Sequence, residues 1–238
     1  IMASINLKHT SGNGTILNSP AANPSSDITL KLPSTTGSAG QVLKVASANH
    51  SSTNAELEFG AEGASGKILQ VIQNVKSDNA SWTGTSFNNI AGTDESGNGS
   101  IWEVNITPTK ANSKLLVEFS GAMGGNHGVM MAVRLVRNIN DSSTAYPFLG
   151  DSGGLRPQVS RQVRDDQTAM KVHAIHQIHF SYLDAPTYTL GNKITYHLQG
   201  KCYSSSSTVY LNRSGSQQNN ADYDGNQAST ITVMEVAA

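Results

Sequence analysis

The chain has 238 residues, a formal net charge of −1, 14% charged residues and a single cysteine. Near-neutrality excludes the basic stripe that a nucleic-acid reader needs. One cysteine excludes an internal disulfide framework and a cysteine-based zinc site, and no apolar run approaches the roughly 18 residues of a membrane span.

A charged share about half the usual ~25%, with abundant Ser, Thr, Asn and Gly, favours β-structure over helix. Residues 1–5 lack a basic region followed by an apolar one, so no secretory signal is expected. Residues 3–60 contain short β-like pieces at 4–8, 14–17, 27–33 and 40–45, joined by Gly, Ser, Asn and Pro. Each has one thin apolar stripe and too few residues to bury it alone. The segment is therefore either a flexible linker or packed against other copies of itself. The alternation of Ile28, Leu30 and Leu32 favours interwound copies. Residues 60–66 form a joint of small residues, which divides the chain into an attachment and shaft segment, 1–65, and a larger domain, 66–238.

In the larger domain the expected strands are 67–73, 101–107, 114–120, 129–137, 169–180, 194–199, 208–211 and 229–236. Trp102, Val104 and Ile106 share one face against Glu103 and Asn105, and Leu115, Val117 and Phe119 do the same beside Glu118. Nothing between these segments has helical period. Eight or so strands separated by Gly/Asn/Ser/Pro loops predict an all-β fold, an antiparallel β-sandwich of jelly-roll type. Residues 129–133 are apolar on both faces, so a loop or a neighbouring subunit should cover the second face. Thr, Ile and Val alternate up to the C-terminus, which places the last strand in the core.

The strand and loop TVYLNRSG at 208–215, taken with the terminal STITVMEVAA at 229–238, resemble the C-terminal domain of short tail-fibre proteins of marine phages, cyanophages especially. The resemblance extends over residues 4–33, 66–75, 105–120, 133–138 and 182–199. Residues 28–45 resemble the shaft or attachment repeats of phage fibres, in which three chains share one narrow core. It implies a homotrimeric, non-enzymatic virion fibre without cofactor, assembled in the host cytoplasm and joined to other virion proteins through its N-terminal segment. Adhesion to a bacterial surface glycan or receptor would be its role, with neither nucleic-acid partner nor membrane insertion. A purely structural appendage, a capsid fibre or tail adaptor, is the competing reading. Residues 156–177, charged and His-bearing, depart from the family pattern, and partner specificity would be encoded there.

Gly150-Asp151-Ser152-Gly153-Gly154 spells the nucleophile motif of chymotrypsin-like proteases, but no histidine context for a base precedes it, so a loop is expected. Gly63 to Ile68 fails as a phosphate loop because Ala61 and Ile68 stand where a glycine and a hydroxyl are needed. His173, His176 and His179 recur every third residue, which puts His173 and His179 on one strand face and His176 on the other. That spacing disfavours a metal site within one chain. Arg156, Arg161 and Arg164, with Asp165 and Asp166, form the single charge cluster, suited to subunit pairing or to recognition of anionic sugars and phosphates. Tyr203, Tyr210, Asn212, Arg213, Tyr223 and Asp224 form an aromatic and polar set that would stack on sugar rings. The expected receptor-binding residues are thus Arg156, Arg161, Arg164, Asp165, Tyr203, Tyr210, Asn212, Tyr223 and Asp224.

Overall fold

The computed structural model describes residues 4–8, 14–18, 29–46, 51, 54–61, 66–126, 129–164, 173–216 and 224–238. The chain divides into two compact units, Ile1–Gly63 and Ala64–Ala238, and no α-helix occurs among the described residues.

In the first unit β1 (Ser4–Lys8) and β2 (Gly14–Asn18) form an antiparallel pair. β3 (Thr29–Lys31) and β4 (Gln41–Val45) flank β5 (Asn54–Ala61), β3 running parallel to it and β4 antiparallel. Gly60 and Ala61, expected in a joint, continue β5 and pair with Val42 and Gln41; ladder pairing uses the backbone, so small side chains do not prevent it. Every residue of β3 and β4 is exposed, with Leu30 at 60% and Val45 at 50%. Three short strands give no second layer against which these apolar side chains can be buried.

In the second unit β6 (Ile68–Lys76) and β7 (Ala80–Thr83) lie along one line, as do β8 (Asn88–Asn89) and β9 (Glu103–Ile106). β10 (Lys114–Gly125) and β11 (Met130–Ile139) follow, then the collinear β12 (Ser143–Ala145) and β13 (Arg161–Arg164). β14 (His176–Asp184), β15 (Ile194–Cys202) and the collinear β16 (Thr208–Leu211) and β17 (Ser229–Val236) complete the chain. Merging collinear pieces leaves eight columns in chain order. One sheet runs sixth, third, eighth, first, and the other fifth, fourth, seventh, second, with every pairing antiparallel. First pairs with eighth, second with seventh, third with sixth and fourth with fifth, which is one long hairpin rolled up: the jelly-roll connectivity.

The inner faces meet in one core. Phe119 of β10 lies 6.1 Å edge-on from Trp102 and 5.4 Å from Phe180 of β14, and Phe148 stacks at 5.1 Å on Tyr182. Trp82 of β7 fills the space over Gly200 of β15, where any side chain would collide with its indole. Ala132 and Val136, on the outer face of β11, are 0% and 1% exposed, so the chain itself covers part of the second face of that strand, while Met130 on the same face is only half-buried. Residues 124–125 end β10. Gly124 faces the Arg213 carbonyl and Ser214 at a spacing no Cβ fits, so glycine here permits a close backbone approach. The segment 169–180 yields a strand only from His176 onward; residues 169–172 lie outside the described residues.

Two buried charges tie the fold together. Arg137 of β11 donates through Nη1 to both oxygens of Asp184 at 2.8 and 2.7 Å, and the Tyr196 hydroxyl donates to the same carboxylate at 2.7 Å, joining the two sheets. Glu235 of β17 is 0% exposed. It accepts from Gln70 at 2.7 Å, from the Thr109 amide and hydroxyl, from the Lys110 amide and from the Ser113 hydroxyl at 2.8 Å, clasping residues 109–113 to the terminal strand. Burial by itself raises the pKa of this carboxyl, but the donors of Thr109, Ser113, Gln70 and Lys110 outweigh it and hold the group below its ordinary value.

Glu235→Gln therefore costs about 1–3 kcal/mol in denaturant unfolding at neutral pH. Because the folded carboxyl titrates below the unfolded one, its stabilisation is present above about pH 4.3 and is lost as pH falls through the folded value. The variant should show a shallower acid loss of stability below about pH 4 than the parent chain, and an identical acid profile would refute the clasp.

Candidate functional site

The outer face of the second sheet carries a cleft of about 670 Å³. Strand alternation turns Met130, Gln162 and Lys201 outward to form its floor, because their neighbours Met131, Val163 and Cys202 face the core. The wall comes from Leu155, Arg156 and Pro157, in the loop that interrupts the fifth column between β12 and β13. Gly154, at φ 58°, makes the sharp bend that presents Leu155, which is 105% exposed. Thr85 and Tyr203 form the opposite rim, and Tyr203 is 70% exposed. A smaller hollow of about 210 Å³ continues past Met130, Gln162 and Tyr203 to Arg164.

Beside the cleft, the guanidinium of Arg134 sits between the rings of Phe87 and Tyr146, 4.0 and 3.9 Å from their centroids, while its Nε donates to Gln199 at 2.8 Å. Gln199 in turn donates to Asn89 at 2.9 Å. His197, on the same strand and outer face, is 3% exposed, and its Nε2 lies 3.2 Å from the Asn89 amide oxygen. Burial lowers its pKa to about 4, so the imidazole is neutral in the folded chain at neutral pH.

The arginine cluster is split. Arg156 and Arg164 reach the cleft and its extension. Arg161 turns the other way, because Arg161 and Val163 lie on the inward face of β13. Its Nε donates to the His179 carbonyl of β14 at 3.2 Å, its Nη1 donates to the Ser160 carbonyl, and its head lies 5.4 Å from the Phe148 ring, bridging the edge between the sheets. The aromatic and polar set is divided as well. Tyr203 is at the cleft; Tyr210 is half-buried under the guanidinium of Arg213, 3.9 Å from its ring. Asp224 accepts from the Ser214 hydroxyl at 2.6 Å and pairs with His173 at 3.2 Å, contacts that hold its carboxyl below the ordinary value, Ser214 foremost. Asp165 and Tyr223 lie outside the described residues.

Asn212 must be corrected. It is 0% exposed, which removes it from any receptor-facing surface. Its Nδ2 donates to the Lys76 and Asp78 carbonyls at 2.7 and 2.9 Å, and its Oδ1 accepts from the Ser229 hydroxyl at 2.6 Å. Held at φ 68°, it starts the excursion between β16 and β17 and pins it to the end of β6, a structural task.

Ser152 is exposed in the cleft-wall loop and has no histidine partner among the described residues. Gly66, at the end of the sequence tested against a phosphate loop, donates to the Ala237 carbonyl at 2.9 Å, and residues 63–65 lie outside the described residues. His173 precedes β14, His176 faces inward and His179 outward. Among the described residues no group of three or more His, Cys, Asp or Glu is placed to hold a metal.

No protein-family model matches this chain, and no curated protein matches it. Among solved structures the chain is similar to one titled as the structure of infectious bursal disease virus, Gx strain, with a TM-score of 0.37 and 10% identity over 76% of this chain. The match spans 39% of that protein's length; so loose a likeness carries no functional argument.

Asn212→Ala removes two donors from buried carbonyls at a left-handed position and should lower unfolding stability by about 2–4 kcal/mol. Loss of ligand or cell binding without that loss of stability would return Asn212 to the site. For His197, the unfolded imidazole takes up a proton near pH 6.5 and the folded one only near 4. Between those values the unfolded chain binds more protons, so stability rises with pH, by roughly 3 kcal/mol in total. His197→Gln should flatten the unfolding free energy between pH 4 and about 6.5, measured by urea titration at each pH.

Proposed function

We propose that the chain is a non-enzymatic structural component of a virus particle, a fibre of a phage tail, that adheres to a glycan on the bacterial surface. The carrying observation is the cleft on the outer face of the second sheet, where an interrupting loop brings Leu155 and Arg156 opposite Tyr203 and Lys201. Exposed aromatic and aliphatic faces beside cations and an amide suit sugar rings and their substituents. The exposed apolar side chains of β3 and β4 support association of the first unit with further copies of itself, three in the proposed fibre, joined to the virion through this segment. Three weak sites on one particle then act by avidity, each bound copy raising the effective concentration for the next. Assembly takes place in the host cytoplasm.

One observation favours the reading as a purely structural adaptor. Val71, Met234, Leu116 and Leu183 form an apolar row across all four strands of the first sheet's outer face, with Val71 56% and Leu183 47% exposed. A neighbouring virion protein would cover such a row.

Purified chain added to host cells before phage should slow adsorption, and a variant with Leu155→Ser and Tyr203→Ala should lose that competition while keeping its melting temperature. Unchanged adsorption with folded protein would overturn the adhesion reading and leave the adaptor.

A further inference from the structure

We infer that the cleft takes an acidic saccharide, a sugar chain carrying carboxylate or sulfate groups; the inference rests on the adhesion reading above and specifies its ligand. Pairing sets Gln162, Ala132 and Lys201 side by side across β13, β11 and β15, with Arg164 beside Met130 in a neighbouring row of the same face. Neighbouring strands lie about 4.8 Å apart and same-face residues of one strand about 7 Å apart. Lys201 on β15 and Arg164 on β13 therefore stand on the two sides of β11, whose Met130 lies on the floor of the cleft and of its extension. Arg156 occupies the wall, its head held over Gly153, to whose carbonyl Nε donates at 3.4 Å.

No carboxylate lines the cleft or its extension among the described residues. None of the ion pairs among those residues uses Arg156, Arg164 or Lys201. In a chain whose net charge is −1, three cations around one concavity, with no carboxylate among the described residues lining it, concentrate positive potential there and select an anion. The rest of the lining specifies what carries the anion. At about 670 Å³ the cleft suits an organic ligand rather than an inorganic ion. Tyr203 and Leu155 offer faces to ring C–H groups, and the Gln162 amide and Thr85 hydroxyl can both give and take hydrogen bonds with sugar hydroxyls. Three cations in one hollow do not make the extended basic stripe that a nucleic-acid backbone requires.

The test uses the full chain and three labelled oligosaccharides of equal length, a polyuronate, a sulfated glucan and a neutral glucan, followed by fluorescence anisotropy. The acidic probes should bind at least about tenfold more tightly than the neutral one. Raising NaCl from about 0.05 to about 0.5 M should weaken them by shortening the screening length. Lys201→Gln and Arg164→Gln should each weaken acidic-probe binding about tenfold, with unchanged melting temperatures because neither residue belongs to the core. Equal binding of neutral and acidic probes, or unchanged binding by both variants, would overturn the acidic assignment while glycan adhesion stands. Displacement of the probes by an equal concentration of sodium sulfate would overturn the saccharide and leave an anion site. Failure of every sugar to bind, with adsorption still blocked by the chain, would overturn the saccharide and point to a protein receptor.

Discussion

The second unit depends on one constraint: its first and last strands are neighbours. β17 lies between β6 and β10, so the first sheet is incomplete until the C-terminal residues arrive. The Glu235 clasp then fixes residues 109–113 to that strand, and a carboxylate with no counter-ion among the described residues is tolerated there because its donors come from both backbone and side chains. Pairings between first and eighth columns are the least local in the rolled hairpin. Their closure carries the largest loop entropy, and the aromatic packing of Trp102, Phe119 and Phe180 offsets it.

The interrupted columns explain where chemistry can reside. β8 and β9, β12 and β13, and β16 and β17 are each one sheet position broken by an excursion of chain. The excursion after β16 is stapled by Asn212, Ser214 and Asp224. The one between β12 and β13 is held at its base by Ser160, which donates to the Phe148 carbonyl and accepts from the Leu135 amide, while its tip with Leu155 projects. A rigid base with an exposed tip is the arrangement from which a loop presents a ligand contact.

Electrostatics sorts the charged groups by task. Arg137 and Asp184 sit at the seam between sheets and hydrogen-bond one another, and Arg134 is sandwiched between Phe87 and Tyr146; these guanidinium groups are occupied. Lys201 and Arg164, on the same outer face, have no carboxylate opposite them among the described residues. Among the described residues of a charge-poor chain, these two cations and Arg156 make a local positive excess at the cleft.

Local pattern determined much of this protein. The absence of helical period, the alternations around Trp102 and Phe119, and the β-branched terminal strand read directly as an all-β fold with a buried C-terminus, because period-2 burial is written in adjacent residues. Arg156, Arg164 and Tyr203 were recognisable as site candidates by residue type alone. Short polar strands such as β8 and β13 were not, since Asn88–Asn89 and Arg161–Arg164 become strands only where β15 and β11 offer a ladder. Lys201 and Gln162 carry no signal in isolation, although their alternation with Cys202 and Val163 could have placed them on an outer face. Asn212 and Arg161 look in sequence like ligands. Only the tertiary structure decided that one is buried against the Lys76 carbonyl and the other bridges the sheets, because a polar group's task depends on which distant backbone comes within 3 Å of it.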